Sequence, residues 1–147
     1  MNTSIHRALL GFLALTGVGV GVWAYAAPRN WYDTFPGMGL SWLPQLGPYN
    51  EHFVKDVGAM FLGLALLSVL TMIHVANTTL VKVTAGTWTL FNLLHFVYHM
   101  QMLGMYSPRD QVLNAIVLSA ILLASAALFI PARQPAKLTQ SAQSPSS

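Results

Sequence analysis

The chain has 147 residues, of which 54% are hydrophobic and only 7% charged, with a formal net charge of +3. A soluble domain carries about 25% charged residues, so this balance points to a membrane protein, and the seven Lys and Arg, scattered singly rather than gathered on one face, exclude a nucleic-acid interface. The absence of cysteine excludes disulfides, thiolate metal sites, iron–sulfur clusters and covalent haem attachment.

Crossing a bilayer as a helix takes about 20 largely apolar residues, because every backbone polar group must be satisfied within the segment. Four segments meet that requirement. The first is ALLGFLALTGVGVGVWAYAA, residues 8–27. With Arg7 before it and Ala24-Tyr25-Ala26 at its end it also has the form of a cleavable signal peptide. The run is long for that role, and Ala14, Gly17, Gly21 and Ala24 place small residues along one face, as close helix packing requires.

Residues 28–50 form a long extracytoplasmic connection containing Trp31, Tyr32, Phe35 and Trp42. Amphipathic aromatics belong at the headgroup level, so this loop is expected to lie on the membrane surface or to fold back over the outer mouth of the bundle. The second span, 51–76, has Asn50 as N-cap and Glu51 in its first turn, facing the positive end of the helix dipole. The third covers 83–104. The fourth, 109–130, opens on Ser107-Pro108-Arg109-Asp110, a capping box with proline in the first helical position. Residues 131–147 have no apolar periodicity and read as a disordered cytoplasmic tail. Small residues four apart recur at Gly17 and Gly21, Ala59 and Gly63, Ala115 and Ser119, Ala120 and Ala124. In Ala- and Gly-rich helices such pairs arise by chance or mark close contacts with a neighbouring helix, a second copy or another subunit.

The fold class is therefore all-α, an integral membrane bundle of four transmembrane helices. With four crossings, Arg7, Lys82, Arg133 and Lys137 share one side, and Arg29, Lys55 and Arg109 the other together with all four acids. By the positive-inside rule both termini are cytoplasmic in a plasma (inner) membrane.

The third span carries a polar stripe. Trp88, Asn92, His95 and His99 step by four, three and four, which sets them on one helix face. Imidazoles in hydrocarbon are costly and turn to the bundle interior to find partners. At 1.5 Å rise per residue, His99 and Asp56 both lie roughly 8 to 9 Å inward of the outer helix ends, so the expected partners are on the second span. There His52 with Asp56, and Glu51 with Lys55, form two i, i+4 pairs. Glu51, His52, Asp56, Asn92, His95 and His99 thus compose an expected polar pocket. His52, Asp56, His95 and His99 within it are candidate metal ligands suited to Zn, Fe, Mn or Cu. Haem held by one of the two third-span histidines is a further cofactor reading. Phe96 stands where the zinc-protease helix has its general base, so protease chemistry is not expected.

The words WYDTFPGMGLSW, GPYNEHFVKDVGAMFLGLALL and NLLHFVYHM resemble a group of small bacterial, actinobacterial-type four-span proteins of unknown function, and more loosely the DoxX-like membrane proteins. The resemblance covers roughly residues 28–104. It implies a four-helix bundle in a bacterial inner membrane and, through the DoxX relatives, a subunit or partner of membrane redox systems. It assigns no catalytic residue. The leading expectation is an accessory or ligand-binding subunit, a homo-oligomer or part of a membrane complex, with the bilayer as its constant partner. A metal- or haem-dependent membrane oxidoreductase is the alternative. A small proton-linked transporter using His95 and Asp56 is the third reading.

Overall fold

The structure, a computed structural model, describes residues 2–131; the expected tail lies, apart from Pro131, outside the described residues. Among these the chain is helical throughout, with five α-helices and no strands. They are α1 (Thr3–Ala26), α2 (Pro28–Thr34), α3 (Glu51–Ile73), α4 (Thr78–Gln101) and α5 (Pro108–Ala127).

The helix starts are fixed by short polar caps. Asn2 Oδ1 accepts from the Ser4 amide at 3.2 Å, Asn50 Oδ1 from Phe53 at 3.3 Å and Asn77 Oδ1 from Leu80 at 3.1 Å. Each cap satisfies one of the amide donors that a helix N-terminus leaves free. The caps at Asn2 and Asn77 explain why α1 and α4 begin five residues before the expected positions 8 and 83. The apolar runs start at 8 and 83, whereas each backbone helix starts at its cap. Ser107 Oγ accepts from the Asp110 amide at 3.3 Å, the N-cap half of the expected capping box, while the Asp110 carboxylate accepts from the Ser107 hydroxyl at 2.8 Å. Helix α2, inside the expected loop, starts with Pro28 in its first turn.

The four long helices run alternately up and down. Contacts pair the start of α1 with the end of α3, the end of α3 with the start of α4, and Asn92 of α4 with Ser125 of α5. His6 Nε2 lies 3.3 Å from the Leu128 carbonyl, so the start of α1 and the end of α5 are at the same end of the bundle. The main core sits at that end, where Leu10, Leu13, Leu64, Val75, Val81, Ala85, Trp88 and Leu128 are buried together. A second, smaller cluster of Ala24, Trp31 and Val54 occupies the other end.

Helices α1 and α3 approach most closely. A Cβ added at Gly21 would lie 3.0 Å from the Gly58 carbonyl oxygen, and one at Gly58 only 2.7 Å from the Tyr25 amide nitrogen. The Gly17 and Gly21 pair is thus a real packing face. Its counterpart on α3 is Gly58 and Ala65, whereas the Ala59 and Gly63 pair of the sequence reading is exposed.

Three helices, α1, α3 and α5, are long and apolar enough to cross a membrane. The expectation of four is corrected on this measure. Helix α4 has 24 residues, but Thr78, Thr79, Lys82, Thr84, Thr87, Asn92, His95 and His99 dilute its apolarity.

Gly58→Ala should lower the stability of the purified protein by about 1–3 kcal/mol, the usual cost of overpacking. Gly63→Ala, whose Cβ meets nothing within 4 Å, should be neutral or stabilising by about 0.5–1 kcal/mol. Thermal unfolding in detergent, followed by circular dichroism, distinguishes the two; equal losses would disprove the α1–α3 contact.

Candidate functional site

The stripe on α4 faces the interior, as its spacing predicts. Trp88 is fully buried, and Asn92 and His99 nearly so. Trp88 Nε1 donates to Ser68 Oγ at 2.8 Å, and Ser68 in turn donates to the Leu64 carbonyl at 2.9 Å. One turn toward the main core, the hydroxyls of Thr71 and Thr84 are 2.7 Å apart. On the other flank Asn92 Nδ2 donates to Ser125 Oγ at 3.3 Å. Pairs of this kind between apolar helices contribute about 0.6 to 2 kcal/mol each and set the register.

Above Trp88 the space between α3 and α4 opens. Phe61 of α3 packs edge-on to Phe91 of α4 with ring centres 5.3 Å apart. Beyond that contact Val57 and Met60 on one helix, and Asn92, His95 and His99 on the other, line a shared cavity of about 300 Å³. Helix α5 closes one side with Leu113, Asn114, Leu118 and Ile121.

The aromatic loop supplies the roof. Trp31 and Trp42 are buried and line the cavity beside Phe35 and Leu40. Tight backbone geometry folds this segment back: the Trp42 amide donates to the Phe35 carbonyl at 2.9 Å, across a turn whose Gly37 and Gly39 have φ of 100° and 77°. Such values suit a residue without Cβ. Ser41 Oγ donates to the Asp33 carbonyl at 2.7 Å, and the Tyr32 hydroxyl to the Gly47 carbonyl. Arg29, ion-paired with Asp33 at 2.8 Å, lies over the rings of Tyr32 and Tyr49. The segment folds back over this end of the helix bundle. Trp42 meets Tyr106, ring centres 6.3 Å apart, and so joins the roof to the α4–α5 connection.

The polar end of the cavity is built by α4, α5 and Tyr106. The rings of His95 and His99 are edge to face at 4.4 Å, and His95 stacks on Phe91. Tyr106 Oη lies 3.4 Å from His99 Nδ1. Burial pushes the Tyr106 phenol up to about 12, opposed only in part by the neighbouring Asn114 amide. The phenol is therefore neutral at any physiological pH and remains a hydrogen-bonding group for the imidazole. Asn114 is fully buried beside His99 and Tyr106, its amide close enough to interact with both side chains but not at the distance and angle of a formed hydrogen bond.

The six residues expected to form one pocket fall into two groups. Asn92, His95 and His99 line the cavity. Glu51, His52 and Asp56 do not. The side chains of His52 and Asp56 are 79% and 63% exposed, and they pair with each other at 3.0 Å; Glu51 pairs with Lys55 at 3.0 Å, also at the surface. The expected metal set of His52, Asp56, His95 and His99 is not assembled, and among the described residues no three His, Cys, Asp or Glu converge. The reason is geometric. Helical rise gave Asp56 and His99 similar depth, but depth fixes neither the rotation of α3 nor the gap that the roof keeps between α3 and α4. The groups the sequence reading missed are Ser68, Thr71, Thr84, Ser125, Tyr106 and Asn114. Only Asn114 left a signal, as a primary amide inside an apolar helix.

No family model, curated protein or solved structure matches the chain, so the resemblance to DoxX-like proteins rests on the sequence words alone.

Because Asp56 and His99 share no partner, the losses of stability in Asp56→Asn and His99→Gln should add to within about 0.5 kcal/mol in the double variant. A double-mutant cycle by chemical unfolding checks this, and a coupling above about 1 kcal/mol would place the two side chains in contact.

Proposed function

We propose that the protein is a small integral membrane protein of four crossings, acting as a binding or accessory subunit that holds a small, mainly apolar molecule inside the bundle. The cavity carries this reading. It is about 300 Å³, at the lower end of the range of ligand sites, its lining is predominantly apolar, and a few polar groups gather at one end. Apolar walls supply affinity, while the polar end fixes orientation.

Helix α4 supports the fourth crossing through its two faces rather than its average. Its polar residues Thr84, Asn92 and His99 are buried, while Leu90, Leu94 and Val83 are 61%, 63% and 54% exposed. A helix on a water-soluble bundle would be turned the other way. The outward side chains of the neighbouring helices are of the same kind, with Leu15, Leu66, Ile116 and Leu123 between 60% and 76% exposed. An apolar surface this extensive is suited to lipid.

The cysteine-free sequence allows a direct test of topology. Single cysteines at Ala76 and Met105, which flank α4, should react with a membrane-impermeant maleimide from opposite sides of the membrane. Labelling of both from one side would remove the fourth crossing. For the cavity, three of the four tryptophans line it, so bromobenzene, an apolar heavy-atom quencher, should quench tryptophan fluorescence saturably in lipid nanodiscs. Leu118→Phe, which narrows the cavity, should weaken that binding at least fivefold. Quenching that rises linearly and equally in both proteins would refute an internal site.

A further inference from the structure

The polar end of the cavity holds more hydrogen-bonding capacity than the protein uses. Asn114 has no exposed surface and lines the cavity, and although His99 and Tyr106 stand beside it, neither its amide nitrogen nor its amide oxygen forms a hydrogen bond of good geometry. Trp31 and Trp42 line the same cavity, are buried, and leave their indole N–H groups without a partner as well. The unused inventory is three N–H donor groups and one carbonyl acceptor. A buried polar group left unsatisfied is costly, and native structures satisfy such groups with protein, water or ligand.

The charge of the site is as informative as its donors. The cavity lining contains no Asp, Glu, Lys or Arg. Its titratable side chains are His95 and His99, so an ammonium ion placed there meets no counter-charge and a carboxylate meets one only where an imidazole is protonated, while either ion loses its hydration, which an apolar enclosure penalises heavily. That balance favours an uncharged occupant. Its oxygen should outnumber its donors in hydrogen bonds, matching the excess of N–H groups, while one N–H or O–H is needed for Asn114 Oδ1. The volume is about ten times the ~30 Å³ share of a water molecule, enough for one substituted ring or a short branched chain.

Resting on the binding function proposed above, we propose that the cavity selects uncharged carbonyl compounds that also carry an N–H or O–H, such as primary amides or undissociated acids, with Asn114 as the group that reads the head and the apolar walls holding the body. Asn114 donates through Nδ2 to the ligand carbonyl and accepts through Oδ1 from its donor, an amide-to-amide pairing in a dry site.

Tryptophan quenching in nanodiscs tests this with three probes of one body: 4-bromobenzamide, bromobenzene without a head, and 4-bromobenzoate at pH 8. After correction for partition into empty nanodiscs, the amide should bind at least tenfold more tightly than either of the others. Asn114→Leu should abolish that preference while leaving bromobenzene binding intact or tighter. If bromobenzene binds as well as the amide to the wild-type protein, the polar end is simply hydrated and the head-group assignment falls while the cavity-binding function stands. If none of the three binds saturably, both fall. The wild-type comparison of probes decides the matter even should the Asn114 variant fail to fold.

Discussion

A single buried indole organises the bundle. Trp88 is the largest fully buried side chain, and its N–H donates to Ser68 across the α3–α4 interface. In an apolar interior that bond cannot be exchanged for one to water, so the tryptophan either finds this partner or incurs the cost of an unmet donor. The ring then fixes the level of everything else. Below it α3 and α4 are in contact through Thr71 and Thr84, and above it they separate around Phe61 and Phe91 into the cavity walls.

The separation is maintained from the other end by the aromatic loop. Helix α1 holds α3 by backbone approach at Gly21 and Gly58. The segment from Trp31 to Trp42 then fills the mouth, and its contact with Tyr106 links it to the α4–α5 side. Two tight contacts and one inserted roof thus produce an internal space without any element being strained open.

Charge is distributed in the opposite sense. Three acid–base pairs lie at the surface within single helices: Arg29 with Asp33, Glu51 with Lys55, and His52 with Asp56. The interior uses hydroxyls, amides, imidazoles and an indole instead. Neutral groups can be buried for the cost of a hydrogen bond, whereas an ion needs a counter-ion and more.

Several of these features are set by the chain locally. Helical periodicity alone puts Trp88, Asn92 and His99 on one face, and the cost of leaving polar groups unpaired among apolar side chains favours turning that face toward partners inside the bundle. The caps at Asn50 and Ser107, and the surface pairs of α3, follow from spacings of three and four residues along one helix. Which residues meet across helices does not. Ser68 and Ser125 look like ordinary members of apolar runs, and Asp56 looks like a partner for His99, because a linear reading gives depth along an axis but not rotation about it or distance between axes. Those two quantities depend on side-chain volumes at distant positions, on glycines at 21 and 58 and on aromatics at 31, 42 and 61. The local sequence determined the helices, their starts and the inward polar stripe; only tertiary packing decided that the stripe faces a roofed cavity with an unused amide, because that outcome depends on how separate helices fit together.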